Sequence, residues 1–335
     1  MIFNYPKIKN INFIKRLKLN EKKVKVEYNF IKNNFEKIIP LLKYYTQNNP
    51  IKNNINFKKF SGYQNIVIIG MGGSSLGIKC LYSFFKNKIK KNVFFFDDLD
   101  PNLHTNFSNL KNLRKTCFLI ISKSGNTLET ITNFNSIPSQ LINENNTLII
   151  TENRPNALNT IAKKNNIQIL QHPKYVGGRF SIFSEVSLIP AMLMGIKIFK
   201  IIKYLKIFKS KKLENETIKS TAFLFSLYQS GYRNNILLNY DKDLNDLCYW
   251  YQQLISESLG KKGRGFLTML SPMPRDHHSM LQFYLDGFDK SFFTFLNSTP
   301  SKKIKIYNKY LPKTHKYLFF KSLISVVNAQ NKASK

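Results

Sequence analysis

Ser122, Lys123, Ser124, Asn126 and Thr127 crowd into "SKSGNT", directly after the apolar run "CFLII". Hydroxyls, an amide and an ammonium packed this closely suit the donation of hydrogen bonds to an anion. A strand over "TCFLIIS" and a helix after Thr127 would set the hydroxyls at a helix N-terminus, where free N–H groups and the helix dipole favour negative charge. Asn126 and Glu129 have capping-box spacing, which predicts the helix start. The stretch has no G-x-x-x-x-G-K-[ST] pattern, so it is no Walker A loop, and neutral hydroxyls suit a small phosphomonoester better than a Mg-nucleotide. An ordinary Ser/Thr-rich turn with a helix cap fits the same letters equally well.

Four further stretches carry residues able to do chemistry. "GMGGSSLG" (70–77) would let a backbone turn approach a ligand closely, with Gly73 inside it and Ser74 adding a hydroxyl. It half-resembles a dinucleotide fingerprint, but Ser75 stands at the third glycine position, and a tight strand–helix turn reads the same way. In "VGGRFSIFS" (176–184) two glycines precede Arg179, whose guanidinium could stabilise developing negative charge without moving a proton. In "WYQQLISESLGK" (250–261) Leu244, Leu247, Tyr251 and Leu254 set an apolar helix face that Glu257 continues, with Gln253 one turn before it. Gly260 is the expected C-cap. A partly desolvated carboxylate at the negative end of a helix dipole would have a raised pKa and serve as a base, whereas a frayed helix end would leave it solvated. "RDHHSMLQFYLDG" (275–287) offers adjacent histidines, which suit one catalytic imidazole better than a shared metal. A pair of solvated loop histidines is the plain alternative.

These residues need a frame. Short runs that are apolar throughout ("NIVII", "NVFFF", "TCFLII", "TLIIT", "IQILQ") alternate with helical segments such as 76–85 and 156–165. That pattern predicts an α/β fold with mostly parallel sheets covered by helices on both faces. Helices are expected over about 184–206. The charged "KSKKLENET" (209–217) reads as a linker, after which strands at 234–240, 265–270 and 290–297 alternate with a helix over 243–259 and a short one near Ser279. The expected organisation is therefore a mainly helical segment over 1–60, a first α/β domain over 61–208, the linker, and a second α/β domain over 218–335. The tail from Thr314 is expected as one helix. Ligands of open parallel sheets sit at the carboxyl ends of the strands, which puts "GMGGSSLG" and "SKSGNTLE" on one edge.

Composition narrows the classes. The formal net charge of +33 is extreme, yet the lysines run along the whole chain among Asn, Ile and Phe. That pattern reads as compositional drift and a solvated basic surface, not as a nucleic-acid site. Cys80, Cys117 and Cys248 have no paired spacing, which fits a reducing cytoplasm and no Cys-based zinc site. No secretory signal is evident, and "VSLIPAMLMGI" is too short to span a bilayer.

Taken in order, "GMGGSSLG", "SKSGNTLET", "VGGRFS", "ESLGK" and "HHSMLQ" resemble the glucose-6-phosphate isomerase (phosphoglucose isomerase) family in its shorter bacterial form, over about residues 60–330. The resemblance implies two sugar-isomerase (SIS) domains, a sugar-phosphate substrate, a homodimer, and no cofactor and no metal. It implies phosphate binding by Ser122, Ser124 and Thr127 with Lys123, and substrate contacts from Gly73 and Ser74. It implies that Glu257 is the base moving a proton between C2 and C1 through a cis-enediol. Arg179 would stabilise the enediolate, Gln253 orient the sugar, and His278 assist ring opening from the partner subunit. His277 stands where the family has Gln. The family's C-terminal Q-P-x-V-E-x-x-K helix has no counterpart in "VVNAQNKASK", and Lys332 and Lys335 do not match its lysine. The resemblance thus places several tens of the family's residues beyond this sequence.

The leading expectation is a cytoplasmic aldose–ketose isomerase of glycolysis and gluconeogenesis, without nucleic-acid or membrane partners. A degenerate or regulatory sugar-phosphate-binding SIS protein is the alternative. It is opposed by the presence of Glu257, Arg179 and His278 together. A nicotinamide-dependent dehydrogenase, resting on "GMGG", is disfavoured by the imperfect fingerprint.

Overall fold

The structure is a computed structural model that describes residues 9–38, 59–60, 62–109, 112–204, 210–287, 289–298, 304–307 and 310–335. The chain forms two compact units, Met1–Ser230 and Gly231–Lys335. The larger opens with helix α1 (Ile11–Ile38); most of the remaining residues before 59 lie outside the described ones.

A five-stranded, wholly parallel sheet follows: β1 (Asn65–Ile69), β2 (Asn92–Phe96), β3 (Thr116–Ile121), β4 (Thr147–Thr151) and β5 (Gln168–Gln171), in spatial order β2-β1-β3-β4-β5. Every position of β1, β3 and β4 is buried. This is why their inner positions are apolar with no alternation, polar residues standing only at the strand ends: helices cover both faces. The connecting helices are α2 (Leu76–Phe85), α3 (Pro101–Ser108), α4 (Leu128–Asn135) and α5 (Ala157–Lys164). Then come α6 (Glu185–Leu193), buried over nearly its whole length, and α7 (Ile198–Tyr204). The order reverses between β1 and β3, so the turns after these two strands leave the sheet at its switch point, where ligands of such sheets bind.

One face of the sheet packs Val67, Ile69, Phe118, Ile120 and Ile149 against Phe107, Phe134 and Leu158. Phe107 meets Phe94, Phe96 and Phe118 edge-on at centroid distances of 5.9, 5.7 and 6.1 Å, the geometry aromatic quadrupoles favour. At the opposite end of the strands, Asn65 takes a hydrogen bond from Asn92 Nδ2 at 2.9 Å and gives one to Thr116 Oγ1 at 3.2 Å. These residues are register partners, so the polar ladder pins β1 between its neighbours.

Two expectations are corrected in this unit. The charged stretch 209–217 is not a linker: from Lys211 it is the start of a long helix, α8 (Lys211–Gln229). Its carboxylate Glu214 is nearly buried and takes Lys211 at 2.9 Å and Lys32 of α1 at 2.7 Å, so the charges pair across two helices. The division between units falls at Ser230 and Gly231 instead. Within α8 and α1, buried Asn20 donates to Ser226 Oγ and Gln229 Oε1, each at 2.8 Å.

The smaller unit holds a parallel three-stranded sheet, β7-β6-β8, from β6 (Asn234–Asn239), β7 (Leu267–Pro272) and β8 (Ser291–Leu296). Helix α9 (Asn245–Leu259) connects β6 to β7. The helix expected near Ser279 resolves into a 3-10 turn (Arg275–His277) and α10 (Leu281–Asp286) on either side of it. The tail from Thr314 is not one helix either. A 3-10 segment (Lys313–Leu318) is followed by Phe320 at φ +58° before α11 (Leu323–Ala333), and that left-handed residue breaks the continuity.

Phe118 is fully buried and Phe94 only partly. We expect Phe118→Ala to cost about 3–5 kcal/mol in the larger unit, by lost transfer energy plus a cavity. The readout is the urea midpoint of that unit's unfolding, and Phe94→Ala should shift it clearly less. Equal shifts would mean the core is not centred on β3.

Candidate active site

The end of β3 carries the hydroxyl cluster that its sequence predicts. Ser122 Oγ lies 2.9 Å from Thr127 Oγ1 and 3.4 Å from Ser124 Oγ, and Ser124 lies 3.4 Å from Thr127. The N–H of Gly125 donates to Ser122 Oγ at 3.1 Å and the N–H of Asn126 to Ser124 Oγ at 3.2 Å. Two of those oxygens each accept a backbone N–H, and the rotatable hydroxyl protons, shared within the cluster, can turn toward an anion. Gly125 sits at φ +70°, and a Cβ there would fall 2.1 Å from the Asn156 side chain, so the turn admits only glycine.

The expected capping box is not formed. The N-cap of α4 is Thr127, and its side chain makes no capping bond. Asn126 reaches across instead, its Oδ1 accepting from Ala157 N–H at 2.8 Å at the start of α5. The first amides of α4 therefore have no capping side chain, and they open beside the three hydroxyls.

The turn after β1 lies against the Arg179 loop. A Cβ on Gly73 would come within 2.2 Å of the Gly178 carbonyl carbon and 2.5 Å of the Arg179 nitrogen, so here backbone crosses backbone. Ser181 Oγ donates to Gly73 O at 3.0 Å in the buried contact, and Ser74 is itself buried beside it. Arg179 is the second residue of the 3-10 segment Gly178–Phe183, and its guanidinium carbon stands 4.6 Å from the Phe180 ring centroid, held over the aromatic face.

Lys123 is turned away from the hydroxyls. Its Nζ donates to Lys174 O at 2.9 Å and Val176 O at 3.0 Å, and it pairs with the buried Glu152 at 3.4 Å. The ammonium thus ties the β3 loop to the loop that leads into Arg179. Glu152 also takes Arg154 Nε at 3.0 Å. Next to this network His172 is buried, with Nδ1 3.0 Å from Pro173 O and a buried Nε2 that meets no hydrogen-bond partner among the described residues. Burial pushes its pKa down; the Pro173 carbonyl opposes this and Lys123 adds to it.

Gln253, Glu257 and His278 belong to the smaller unit. Gln253 and Glu257 stand one turn apart on α9, and Gly260 ends that helix at φ −73°, without a left-handed turn. Leu244, Leu247, Tyr251 and Leu254 are half-buried as their spacing predicts, but Glu257 is exposed, so the expected partial desolvation is not met within this chain. The side-chain oxygen of Gln253 is buried without a hydrogen-bond partner among the described residues. His278 is exposed; His277 is not its twin. His277 Nε2 lies 2.9 Å from Tyr240 Oη and 3.1 Å from Ser334 Oγ, at the joint between β6 and α11. Among the described residues no group of three His, Cys, Asp or Glu could hold a metal ion.

A family model described as phosphoglucose isomerase matches residues 17–265. The chain belongs to the phosphoglucose isomerase family. That match starts earlier than the motifs suggest, inside α1, and stops before His278. The chain is 34% identical over 247 residues to glucose-6-phosphate isomerase of Methanocaldococcus jannaschii, covering 72% of this chain and 61% of that protein. It is 33% identical over 295 residues to a probable glucose-6-phosphate isomerase of Methanococcus maripaludis, covering 83% and 64%. The matches thus span less than two thirds of these relatives' own length. Two solved structures share the fold. One is a hypothetical protein of Thermus thermophilus, with TM-score 0.72 and 21% identity over 95% of this chain and 79% of that one. The other is a glucose-6-phosphate isomerase of Chlamydia trachomatis, with TM-score 0.65 and 18% identity over 99% and 62%.

In this phosphoglucose isomerase fold the larger unit brings together Gly73, Ser74, Ser122, Ser124, Thr127 and Arg179, with Lys123 as their strut. Sequence reasoning missed Ser181, Asn126 as a bridge, Glu152 and His172. Only Ser181 left a signal, two residues beyond Arg179 in "VGGRFS".

The Gly73 crossing generates a paired test. Gly73→Ala must displace backbone, at about 1–3 kcal/mol for an overpacked contact. The same change at Gly178 meets only the Gly73 Cα at 3.7 Å, an ordinary contact. We expect Gly73→Ala to lower the melting temperature and weaken sugar-phosphate binding, and Gly178→Ala to do neither. Matching behaviour of the two would refute the crossing.

His172 predicts a pH dependence. The folded unit favours its neutral form, while the unfolded chain protonates it near pH 6.5, so stability from its burial is present above about pH 6.5 and falls as pH drops. Between pH 7.5 and 5 the urea midpoint of wild type should fall more than that of His172→Gln. Parallel pH profiles would remove His172 as the source.

Proposed function

We propose that this chain carries the machinery of a glucose-6-phosphate isomerase, interconverting glucose 6-phosphate and fructose 6-phosphate in glycolysis and gluconeogenesis. One observation carries the reading most directly. Three donor hydroxyls, the uncapped start of α4 and the Arg179 loop are locked to one another at the switch point of a parallel sheet. Such a cradle suits the phosphate and anionic intermediate of a sugar phosphate, and needs no cofactor or metal to do so.

The roles then divide by chemistry. Ser122, Ser124 and Thr127 hold the phosphate by charge-assisted hydrogen bonds. Gly73 and Ser74 line the sugar from the first turn, and Gln253 orients it. His278 assists opening of the pyranose ring. Glu257 takes the C2 proton and returns it to C1, and Arg179 stabilises the enediolate oxygen as charge develops there. Lys123 acts from behind the cradle, fixing the Arg179 loop. We further propose that the active form is a cytoplasmic homodimer of two SIS-type domains per chain, with His278 reaching the partner's site. The matched relatives' names fit the isomerase reading, and three buried cysteines outside any disulfide fit a reducing compartment. No helix among the described residues is long and apolar enough to cross a membrane.

The decisive variant is Glu257→Gln, which keeps shape and loses basicity. Its turnover in a coupled assay should fall by about 100- to 10,000-fold with sugar phosphate still bound; near-wild-type turnover would remove Glu257 as the base. The double change Ser124→Ala, Thr127→Ala should weaken 6-phosphogluconate binding by about 1.5–3 kcal/mol per lost bond to a charged group. Unchanged affinity would place the phosphate elsewhere.

A further inference from the structure

The turn that presents His278 is built around a buried carboxylate. Asp276 accepts from Ser271 Oγ at 3.0 Å on Oδ2, and from Arg275 Nε at 3.1 Å and Ser279 Oγ at 3.3 Å on Oδ1. Ser271, on β7, is itself held by Tyr284 Oη of α10 at 3.0 Å. One side chain therefore ties the end of a strand, both flanks of the 3-10 turn and, through Ser271, the next helix. The backbone closes the same turn, with His278 N–H on Arg275 O at 3.1 Å and Met280 N–H on Asp276 O at 2.9 Å. On its other side His277 is anchored to Tyr240 and Ser334. The exposed His278 sits between these two pins.

We propose that Asp276 is a positioning residue for His278, fixing the direction in which the imidazole meets the sugar ring oxygen. Three donors converge on two carboxylate oxygens, an arrangement an amide cannot copy because one of its ends donates. An imidazole at the tip of a turn without this anchor would sample several directions, and about 1 Å of misplacement is worth on the order of 100-fold in rate. The inference rests on the reading of His278 as the ring-opening group.

Ring opening can be followed apart from isomerisation, as exchange between the α and β anomers of glucose 6-phosphate measured by NMR. In the full chain, Asp276→Ala should slow catalysed anomer exchange and turnover together by about 10- to 100-fold. The Kd for 6-phosphogluconate, an open-chain acid with no ring to open, should stay within about threefold, and Asp276→Asn should recover part of the loss. The double variant Asp276→Ala, His278→Ala should be no slower than His278→Ala alone. Losses that multiply, or a matching loss of 6-phosphogluconate binding, would make Asp276 a general structural residue. If Asp276→Ala does not fold, Ser279→Ala should show the same split at smaller size, and its absence would overturn the assignment. A wild-type chain that neither isomerises nor anomerises the sugar refutes the functional reading, and this assignment with it. An active wild type with an indifferent Asp276→Ala refutes the assignment alone.

Discussion

A missing methyl group sets the larger unit's working edge. At Gly73 the backbone runs so close to the Gly178–Arg179 peptide that no side chain fits. Once that approach is made, the rest of the edge has little freedom. Ser181 bonds back to Gly73 O, the Arg179 guanidinium lies over Phe180, and Lys123 fastens the preceding loop through the carbonyls of 174 and 176. Segments a hundred residues apart are thereby joined at one surface, with its donors already held in place. Preorganisation of this kind is what makes such dipoles worth more than the same groups in water.

Much of this was legible in the letters. Strands β1, β3 and β4 read as buried because their inner positions are apolar without alternation, and helix 76–85 is found with the bounds its pattern predicts. The hydroxyl cluster was legible for a local reason: its members lie within one turn. What stayed hidden was mostly long-range. Nothing near Asn126 says that its side chain serves α5 instead of α4. Lys123 looks like an anion ligand until the loop at 174–176 is known to lie beneath it. "KSKKLENET" resembles a linker because the partner of Glu214 is Lys32, far upstream. Glu257 continues an apolar face by spacing, yet spacing does not say where a helix end emerges into solvent. The two neighbouring histidines are indistinguishable in sequence; Tyr240 and Ser334, distant on either side, claim one of them.

The chain has only 19 acidic residues against 52 basic ones, and three of the acids buried among the described residues join separate elements. Glu152 joins the β3 loop to the end of β4 through Lys123, Glu214 joins α8 to α1, and Asp276 joins β7 to the His278 turn. Each sits buried with at least two donors, the condition under which a carboxylate is tolerated there. In a protein so rich in lysine a cation is available almost anywhere, so position is set by where the acid stands.

The pairing of Asn20 with Ser226 spans 206 residues. Strands β1 to β5 can meet as they emerge from the ribosome, each next to a recent predecessor. Among the described residues helix α1 packs chiefly on α8, which is made much later. At about 5–20 residues per second its wait lasts roughly 10–40 s. Throughout that interval the face of α1 that α8 later covers is a standing surface for chaperones on the nascent chain.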